Sequence, residues 1–342
     1  MKSRIIILSC FFLIFFITSF LFYSQFKGFG HDLPRERFVV ALKSSDQQVI
    51  DDLYDKGFFR NQKIFEFILE TLCKQRNCSD SDQKIQPGAY LLSKSDNAYQ
   101  LAGSLLFGPF QKWVIIPPGK RIEQVALILQ NSLNWPFATA RSFIDLAQEG
   151  HLYPDTYLIN SDADPSEVIQ RIKNNFNDKF DLEIQKQLLD QNVRNDTALK
   201  IASLIERESG SLEDKPIIAA VIWNRLEEEM RLEIDATVQY SITSEKLADS
   251  GLQTLEGFDF WPKLGQGIVR TIKSDYNTYL IDGLPPGPIC SPSLESIKAV
   301  ISPAETTALY YLHSPDKQIH TAETYKQHQE NIEKYLIDLL EE

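Results

Sequence analysis

The sequence predicts an α+β protein with an N-terminal transmembrane helix, a small α/β domain and a larger mixed α/β domain. Its 342 residues are enough for about two domains. An uncharged run over residues 5–23 opens the chain. Strand-like and helix-like apolar patterns then alternate along the remaining residues, which is typical of a folded chain with mixed secondary structure.

The apolar run predicts a retained membrane anchor. Its 19 residues carry no charge, and as a helix they can cross a bilayer core of roughly 30 Å. Because Lys2 and Arg4 precede the run, residues 1–4 are expected in the cytoplasm and the body of the protein outside it. A cleaved signal peptide is the alternative, but no A-x-A cleavage pattern follows the run. Residues 24–35, which contain glycine and proline, are expected to be a linker.

The small domain is expected over residues 36–108. RFVVAL is typical of a strand, and the helix after it can be capped by Ser45 or Asp46 and ended by Gly57. A second amphipathic helix is predicted over residues 62–76, and AYLLS forms the next strand. This segment carries no cluster of catalytic side chains.

The larger domain is expected over residues 109–342. A strand begins near Trp113, a helix follows it, and GHLYPDTYLI is a turn-rich stretch. Helical patterns occupy residues 165–208, and a helix is expected from about Asp196 to Ser209 with Gly210 as its C-terminal stop. Another helix starts around Pro216, and the segment that begins DATVQY alternates like a strand or turn.

Composition excludes some classes of function. A formal net charge of −12 disfavours binding to the phosphate backbone of nucleic acids. The cysteines and histidines show no zinc-ligand spacing and no H-E-x-x-H motif, so we expect neither a metal nor another cofactor. Outside the cytoplasm Cys73 and Cys78 could form a disulfide or remain thiols, and their spacing leaves both alternatives open.

Two glutamates in LIERESG are candidate catalytic acids. Glu206 and Glu208 are two residues apart, so they point roughly 200° apart around a helix and cannot face one pocket. Glu206 lies nearer the apolar stripe, where partial desolvation would raise its pKa and keep it protonated as a general acid. The alternative is a pair of solvated glutamates at a helix end.

Two polar patches could line a groove for a carbohydrate. Their hydroxyl, amide and aromatic groups suit sugar hydroxyls and the apolar faces of sugar rings, although capping and surface chemistry could explain any one of them. The rigid loop GLPPGP follows the second patch. The candidate binding residues are Asn224, Arg225, Asp235, Thr237, Tyr240, Tyr276, Asn277, Thr278 and Tyr279.

Five motifs in order resemble one family. IASLIERESG, DKPIIAAVIWNRLEEEMRLEIDATVQYS, YNTYLIDGLPPGPICSPSLESIKAVISPAE, HTAETYKQH and the upstream EGHLYPDTYLI are similar to the MltG (YceG-like) endolytic peptidoglycan transglycosylases. The resemblance covers about residues 36–342. It implies a LysM-like domain near residues 36–108, a catalytic domain after it, and Glu206 as the catalytic residue, with Glu208 a lesser alternative.

The implied reaction is non-hydrolytic cleavage of the β-1,4 bond between N-acetylmuramic acid and N-acetylglucosamine, with Glu206 as both acid and base. The implied setting is the inner membrane, with the catalytic body in the periplasm, nascent glycan strands as substrate and peptidoglycan synthases as candidate partners. A non-catalytic glycan-binding scaffold and a water-using hydrolase are the alternatives. The chain departs from the family pattern at Ala236, Cys290, Ser291 and the loop before His320.

Overall fold

A computed structural model describes residues 13–20, 23–30, 32–76, 78, 83–249, 254–265 and 267–337. The chain divides into two compact units. The first contains residues up to Trp113 and the return segment Leu158–Ala163, and the second contains Val114–Tyr157 and the chain from Asp164 onward. The predicted boundary between residues 108 and 109 assigned the segment Leu158–Ala163 to the larger domain. The LysM-like and catalytic assignments of the two domains stay predictions.

Two helices and two antiparallel strands form most of the first unit, in the order that the sequence predicts, and a third helix follows them. The elements are β1 (Arg35–Val40), α1 (Asp46–Asp55), α2 (Gln62–Gln75), β2 (Gly88–Ser93) and α3 (Ala98–Phe107). Ser45 caps α1 through a reciprocal pair of hydrogen bonds with Gln48, which resolves the choice between Ser45 and Asp46. The buried faces of these elements share one apolar core that includes Phe65, Ile68 and Leu101.

A disulfide joins Cys73, near the end of α2, to Cys78. The thiol alternative for this pair is therefore excluded in the structure. Residues 5–12 and 21–22 of the predicted anchor lie outside the described residues, and residues 13–20 are helical. Within the described part of the chain, no helix has both the length and the apolar character needed to span a membrane.

The second unit is mainly helical. Strands β3 and β4 extend the order β1-β2 to a four-stranded sheet, and the boundary between the units falls within both of them. The elements are β3 (Gln111–Ile115), α4 (Ile122–Leu133), α5 (Phe137–Leu146), β4 (Thr156–Asn160), α6 (Pro165–Lys179), α7 (Leu182–Asp190), α8 (Asn195–Glu208), α9 (Asp214–Glu227), α10 (Asp235–Asp249), a 3₁₀ turn (Ile268–Arg270), α11 (Leu294–Ile301), β5 (Tyr310–His313), β6 (Ile319–Ala322), α12 (Tyr325–Ile332) and a π-helical turn (Glu333–Ile337).

The structure corrects three sequence-based predictions. The segment that begins at Asp235 is a helix rather than a strand or turn, because Ala236, Thr237 and Val238 are consecutive buried residues, which a half-exposed strand would not give. The stretch around Thr156–Asn160 is a strand. Helix α8 ends before Gly210 as expected, but through the extended backbone of Ser209.

Helix α8 lies at the centre of the second unit. Its residues from Ile201 to Ile205 are all buried, so apolar surface covers more than one face of the helix. Helices α9 and α11 pack against it, and the core continues through Ile218, Ile222 and Val300. The last turn of α8, which carries Glu206, is thus held rigidly between two other helices.

Candidate active site

The carboxyl group of Glu206 lies in a cage of hydrogen-bond donors. Its Oε2 accepts hydrogen bonds from Lys215 Nζ at 3.0 Å, from the backbone N–H of Ser293 at 2.9 Å, and from the hydroxyls of Ser293 and Ser296 at 2.6 Å each. The side chain is only 8% exposed. Lys215 is on the first turn of α9, and the two serines begin α11, so three elements meet at one carboxylate oxygen.

The other oxygen of the Glu206 carboxyl group is free. Among the described residues none donates a hydrogen bond to Oε1, and this atom is not one of the buried polar atoms without a partner. One oxygen is therefore fixed by the protein, and the second keeps its acceptor positions for an incoming group. This arrangement holds the carboxyl plane in place and leaves one edge available for chemistry.

Glu206 is a carboxylate at neutral pH, contrary to the sequence-based expectation. Burial raises its pKa, but the hydrogen bonds from Ser293 and Ser296 and the charge of Lys215 lower the pKa by more, so that it lies below its ordinary value. The sequence showed an apolar stripe beside Glu206 and predicted desolvation alone. It did not show the donors, which come from two other helices.

Glu208 faces a different environment, as the helix geometry predicts. Its carboxylate accepts a hydrogen bond from the Tyr311 hydroxyl at 2.8 Å. Burial raises the pKa of Glu208 and outweighs the opposing effect of this bond. The raised carboxyl pKa expected for Glu206 therefore occurs at its neighbour, which has no contact with Lys215 or the two serines.

Arg207, the neighbour of Glu206 on α8, packs against an aromatic ring. The Arg207 guanidinium lies 3.9 Å from the centre of the Trp261 ring, whose Nε1 donates to Gln124 at 3.0 Å. The backbone of Gly119 lies close to the side chains of Glu206 and Arg207. A Cβ atom at this position would be 3.7 Å from Glu206 Cγ and 3.6 Å from Arg207 Nη1. Its φ of +74° favours glycine, which lets this turn lie close to the site.

Asn224 and Arg225 stabilise the framework of the unit and do not contact Glu206. Asn224 Nδ2 donates to the carbonyls of Thr306 and Ala308, both at 2.9 Å. Arg225 donates to the carbonyls of Leu309 and Leu232. Both side chains thus connect α9 to loops, and these donors are already occupied by backbone oxygens.

Thr237, Thr278 and Asn277 are fully buried and hydrogen-bonded inside the protein. The two threonine hydroxyls lie 3.0 Å apart, and Thr278 also accepts from the backbone N–H of Ile234. Asn277 Nδ2 donates to the carbonyls of Val269 and Ile272 at 2.7 Å. These groups fix the loop between α10 and α11, and none of the three is exposed to solvent.

The other four predicted residues form one pair of packed aromatic rings and one hydrogen-bonded pair. The rings of Tyr240 and Tyr276 are 4.8 Å apart, and the buried Arg121 guanidinium lies 4.1 Å from the Tyr240 ring centre. The Tyr279 hydroxyl donates to the exposed Asp235 carboxylate at 2.8 Å. Partly exposed tyrosine rings remain available for contact with a ligand, and a substrate-binding role for the nine predicted residues stays a prediction.

The residues that contact Glu206 most closely were not predicted from the sequence. Lys215 belongs to an ordinary helix start, and Ser293 has the typical position of a helix N-cap, so neither pattern indicates a partner for a carboxylate. Among the described residues, no group of His, Cys, Asp and Glu side chains is arranged to hold a metal ion.

The sequence profile of the YceG-like family matches residues 38–334, which include Glu206, its donors and parts of both compact units. The chain belongs to the YceG-like family. A YceG-like protein from Listeria monocytogenes has a similar structure, with a TM-score of 0.57 over 87% of this chain and 98% of that protein, at 24% sequence identity. At this identity the likeness demonstrates a shared fold.

Two relatives of this YceG-like chain carry the name endolytic murein transglycosylase. The Bacillus subtilis protein is 33% identical over 193 residues, which are 55% of this chain and 48% of that protein. The Streptococcus pneumoniae protein is 25% identical over 342 residues, covering 86% of this chain and 57% of that protein. This chain therefore spans about half the length of the curated relatives it matches.

The family departures at Cys290 and Ser291 lie close to the cage without disrupting it. Cys290 is buried, and its thiol donates to the Ser203 carbonyl at 3.4 Å. Ser291 exchanges backbone hydrogen bonds of 2.9 Å with Gly119 and Lys120. These two residues of the YceG-like chain hold the Gly119 turn next to the segment that supplies Ser293.

Proposed function

We propose that this chain is an endolytic murein transglycosylase that cleaves peptidoglycan glycan strands without water and leaves 1,6-anhydromuramic acid ends. The observation that carries the proposal is the Glu206 carboxyl group, which has one oxygen fixed by four donor contacts and one free. The family and the names of the two relatives supply the substrate class.

Glu206 performs both proton transfers in this mechanism. Its protonated form gives a proton to the glycosidic oxygen as the bond to C1 breaks and positive charge develops on the muramic acid ring. The carboxylate then takes a proton from the 6-hydroxyl of the same sugar, and that oxygen forms the new bond to C1. No water enters the reaction, so a second carboxylate to activate water is not needed. Glu208 is turned toward Tyr311 and does not supply one.

Replacing Glu206 by glutamine is expected to abolish cleavage, because an amide keeps the shape of the side chain but cannot exchange the proton. General acid–base catalysis contributes about 10²–10⁴-fold to a rate, so the turnover should fall by at least about a hundredfold. Mass spectrometry of products from purified glycan strands measures this loss and identifies the ends that the wild-type chain produces.

Glu208→Gln is the matched control, since it makes the same chemical change two residues away on the same helix. Anhydro ends from the wild-type chain and from Glu208→Gln, with none from Glu206→Gln, support the proposal. Reducing ends would indicate a hydrolase, and no products from the wild-type chain would indicate a glycan-binding scaffold. Normal anhydro products from Glu206→Gln would contradict the role of Glu206.

We also propose that residues 5–23 anchor the chain in the inner membrane, with its body in the periplasm and within reach of nascent strands and their synthases. The support is the uncharged run of 19 residues behind Lys2 and Arg4. The bonded pair Cys73 and Cys78 is consistent with an oxidising compartment. A tethered active site reaches only substrate close to the membrane.

A further inference from the structure

The buried ammonium group of Lys215 has three oxygen partners, and all three belong to the Glu206 cage. Its Nζ donates to Glu206 Oε2 at 3.0 Å, to Ser293 Oγ at 2.8 Å and to Ser296 Oγ at 3.0 Å. The side chains of Lys215 and Glu206 are 7% and 8% exposed. Lys215 at the start of α9 and Glu206 at the end of α8 thus share one buried site.

The proposed reaction needs a proton on Glu206 at its first step, whereas the resting residue is a carboxylate. The two serine hydroxyls donate hydrogen bonds but are too weakly acidic to give up a proton. Lys215 is the group in direct contact that carries one to give. The 3.0 Å between its nitrogen and Oε2 is a distance over which a proton can move.

The surrounding titratable groups do not take this role. The Arg207 guanidinium stays protonated, and burial raises the pKa of the Cys290 thiol, so the thiol also keeps its proton. The Asp214 carboxylate is bound by the N–H groups of Gly210 and Ser211 and by His313. The groups that face the cage region from the packed elements are Arg207 and Glu208 on α8, Asp214 on α9, Asp235 on α10, Cys290 before α11, His313 on β5 and Glu149 after α5.

We propose that Lys215 stores the proton that Glu206 gives to the glycosidic oxygen, and that it receives the proton back when the reaction ends. The inference rests on the proposed function of Glu206. In the first transfer Lys215 becomes a neutral amine and Glu206 a carboxylic acid. Glu206 then protonates the leaving oxygen, takes the proton of the 6-hydroxyl and returns it to Lys215. The cycle consumes no proton and needs no co-reactant.

Substrate binding provides the driving force for the first transfer. In the free enzyme we expect water at Glu206 Oε1, the oxygen without a protein donor, to stabilise the ion pair. A bound glycan strand displaces that water, and both charges then lose solvation in an already buried site. Proton transfer from nitrogen to oxygen neutralises both groups at once, so it becomes favourable when the strand covers the site. The protonated form of Glu206 is therefore produced in the complex with the bound glycan strand, in which it acts as the acid.

The wild-type chain itself provides the first test, in the dependence of kcat on pH. A pair that shares one proton keeps it well above the pH at which a lone carboxyl group ionises. Activity should therefore persist to a pH above about 7, compared with about 4.3 for an ordinary glutamate. A decline of kcat already at carboxyl pH values would overturn the storage role, and this measurement does not depend on any variant.

Lys215→Met and Lys215→Arg provide the second test. Methionine removes charge and proton, whereas arginine keeps the charge but does not release a proton. Both variants should lose about a hundredfold or more in kcat at pH 7, with the high-pH decline shifted at least about one unit toward acid, and both should recover most activity near the carboxyl pKa range. An arginine variant with the wild-type profile, or a methionine variant whose decline moves to higher pH, would contradict the proposal.

Ser296→Ala distinguishes proton storage from general damage to the cage. It removes one hydrogen bond to Glu206 Oε2 and one acceptor of Lys215 Nζ, whose contacts with Glu206 and Ser293 remain. We expect a loss of about tenfold in kcat without an acid shift of the high-pH decline, because the lost hydrogen bond is one that lowers the pKa of Glu206. A uniform loss in the Lys215 variants at every pH would show a structural role. Anhydro products from Glu206→Gln would instead refute the proposed function.

Discussion

At the residue scale, the pKa values of two glutamates in the second unit are shifted in opposite directions. Donors from Lys215, Ser293 and Ser296 lower the pKa of Glu206 despite its burial. Glu149, at the turn after α5, is half-buried, and its backbone donors are weak contacts of 3.3 Å. Burial and the charge of Glu123 raise its pKa to about 8. Burial raises the pKa of both groups, and the donors and charges around each carboxyl decide whether that effect prevails.

The raised pKa of Glu149 predicts a loss of stability as the pH rises. Between its ordinary value of 4.5 and about 8, the folded chain holds a proton that the unfolded chain has released. The free energy of unfolding should therefore fall through this range, by at most about 1.4 kcal/mol per pH unit from this group. Glu149→Gln should remove that decline and be more stable than the wild-type chain at pH 8, measured by urea denaturation from pH 4 to pH 9.

Glu183→Gln is the control for this prediction, because Glu183 is exposed on α7 and its substitution changes the net charge equally. Its stability should follow the pH dependence of the wild-type chain. If Glu149→Gln and Glu183→Gln show the same dependence, the charge of the whole chain causes the decline rather than Glu149.

At the scale of elements, helix starts in this chain are set by local side chains. Asp164 accepts a hydrogen bond from the backbone N–H of Glu167 at 2.9 Å, and Pro165 occupies the first turn of α6. Ser293 has the same capping position on α11 but also binds Glu206. The N-cap residue of α6 thus stabilises its helix, whereas the N-cap residue of α11 both caps its helix and forms part of the candidate active site.

Asp164→Ala should destabilise the chain by about 1 kcal/mol, the usual cost of losing a helix N-cap. Chemical denaturation at neutral pH measures the loss. Asp162→Ala makes the same change two residues earlier at an exposed turn position and should stay within about 0.5 kcal/mol of the wild-type chain. Equal losses in both variants would show that the charge, and not the cap, stabilises α6.

At the scale of the whole molecule, the polypeptide passes between the two compact units more than once. The chain leaves the first unit after Trp113, returns to it for Leu158–Ala163 and then completes the second unit. The family match over residues 38–334 spans this route, so the family is defined by both units together. Apolar cores lie inside each unit and give each of them internal stability.

The proposed anchor gives a prediction for the whole molecule. The full chain should fractionate with the membrane, because 19 uncharged residues at its start suit a bilayer span. Deletion of residues 1–23 should release the protein into the soluble fraction and preserve cleavage of purified glycan strands in solution. A truncated chain that stays with the membrane, or a full chain found in the soluble fraction, would contradict the anchor.

Much of the fold could be predicted because it depends on short-range pattern. Helix α8 was expected over residues 196–209 and is observed over Asn195–Glu208. The agreement is close because the spacing of apolar residues that predicts a helix is a property of the local sequence. The helix at Asp235–Asp249 was missed because alternating polar residues over six positions fit a strand, while the burial of three consecutive side chains depends on the surrounding helices.

The sequence by itself determined the elements of the first unit and most helices of the second, the opposed directions of Glu206 and Glu208, and the motifs that relate the chain to its family. Only the tertiary structure decided the chemical state of Glu206. Lys215 is nine residues away along the chain, and Ser293 and Ser296 are 87 and 90 residues away, yet all three donate to the same oxygen. Charge and hydrogen bonding act through distances in space, and spacing along the sequence does not specify those distances.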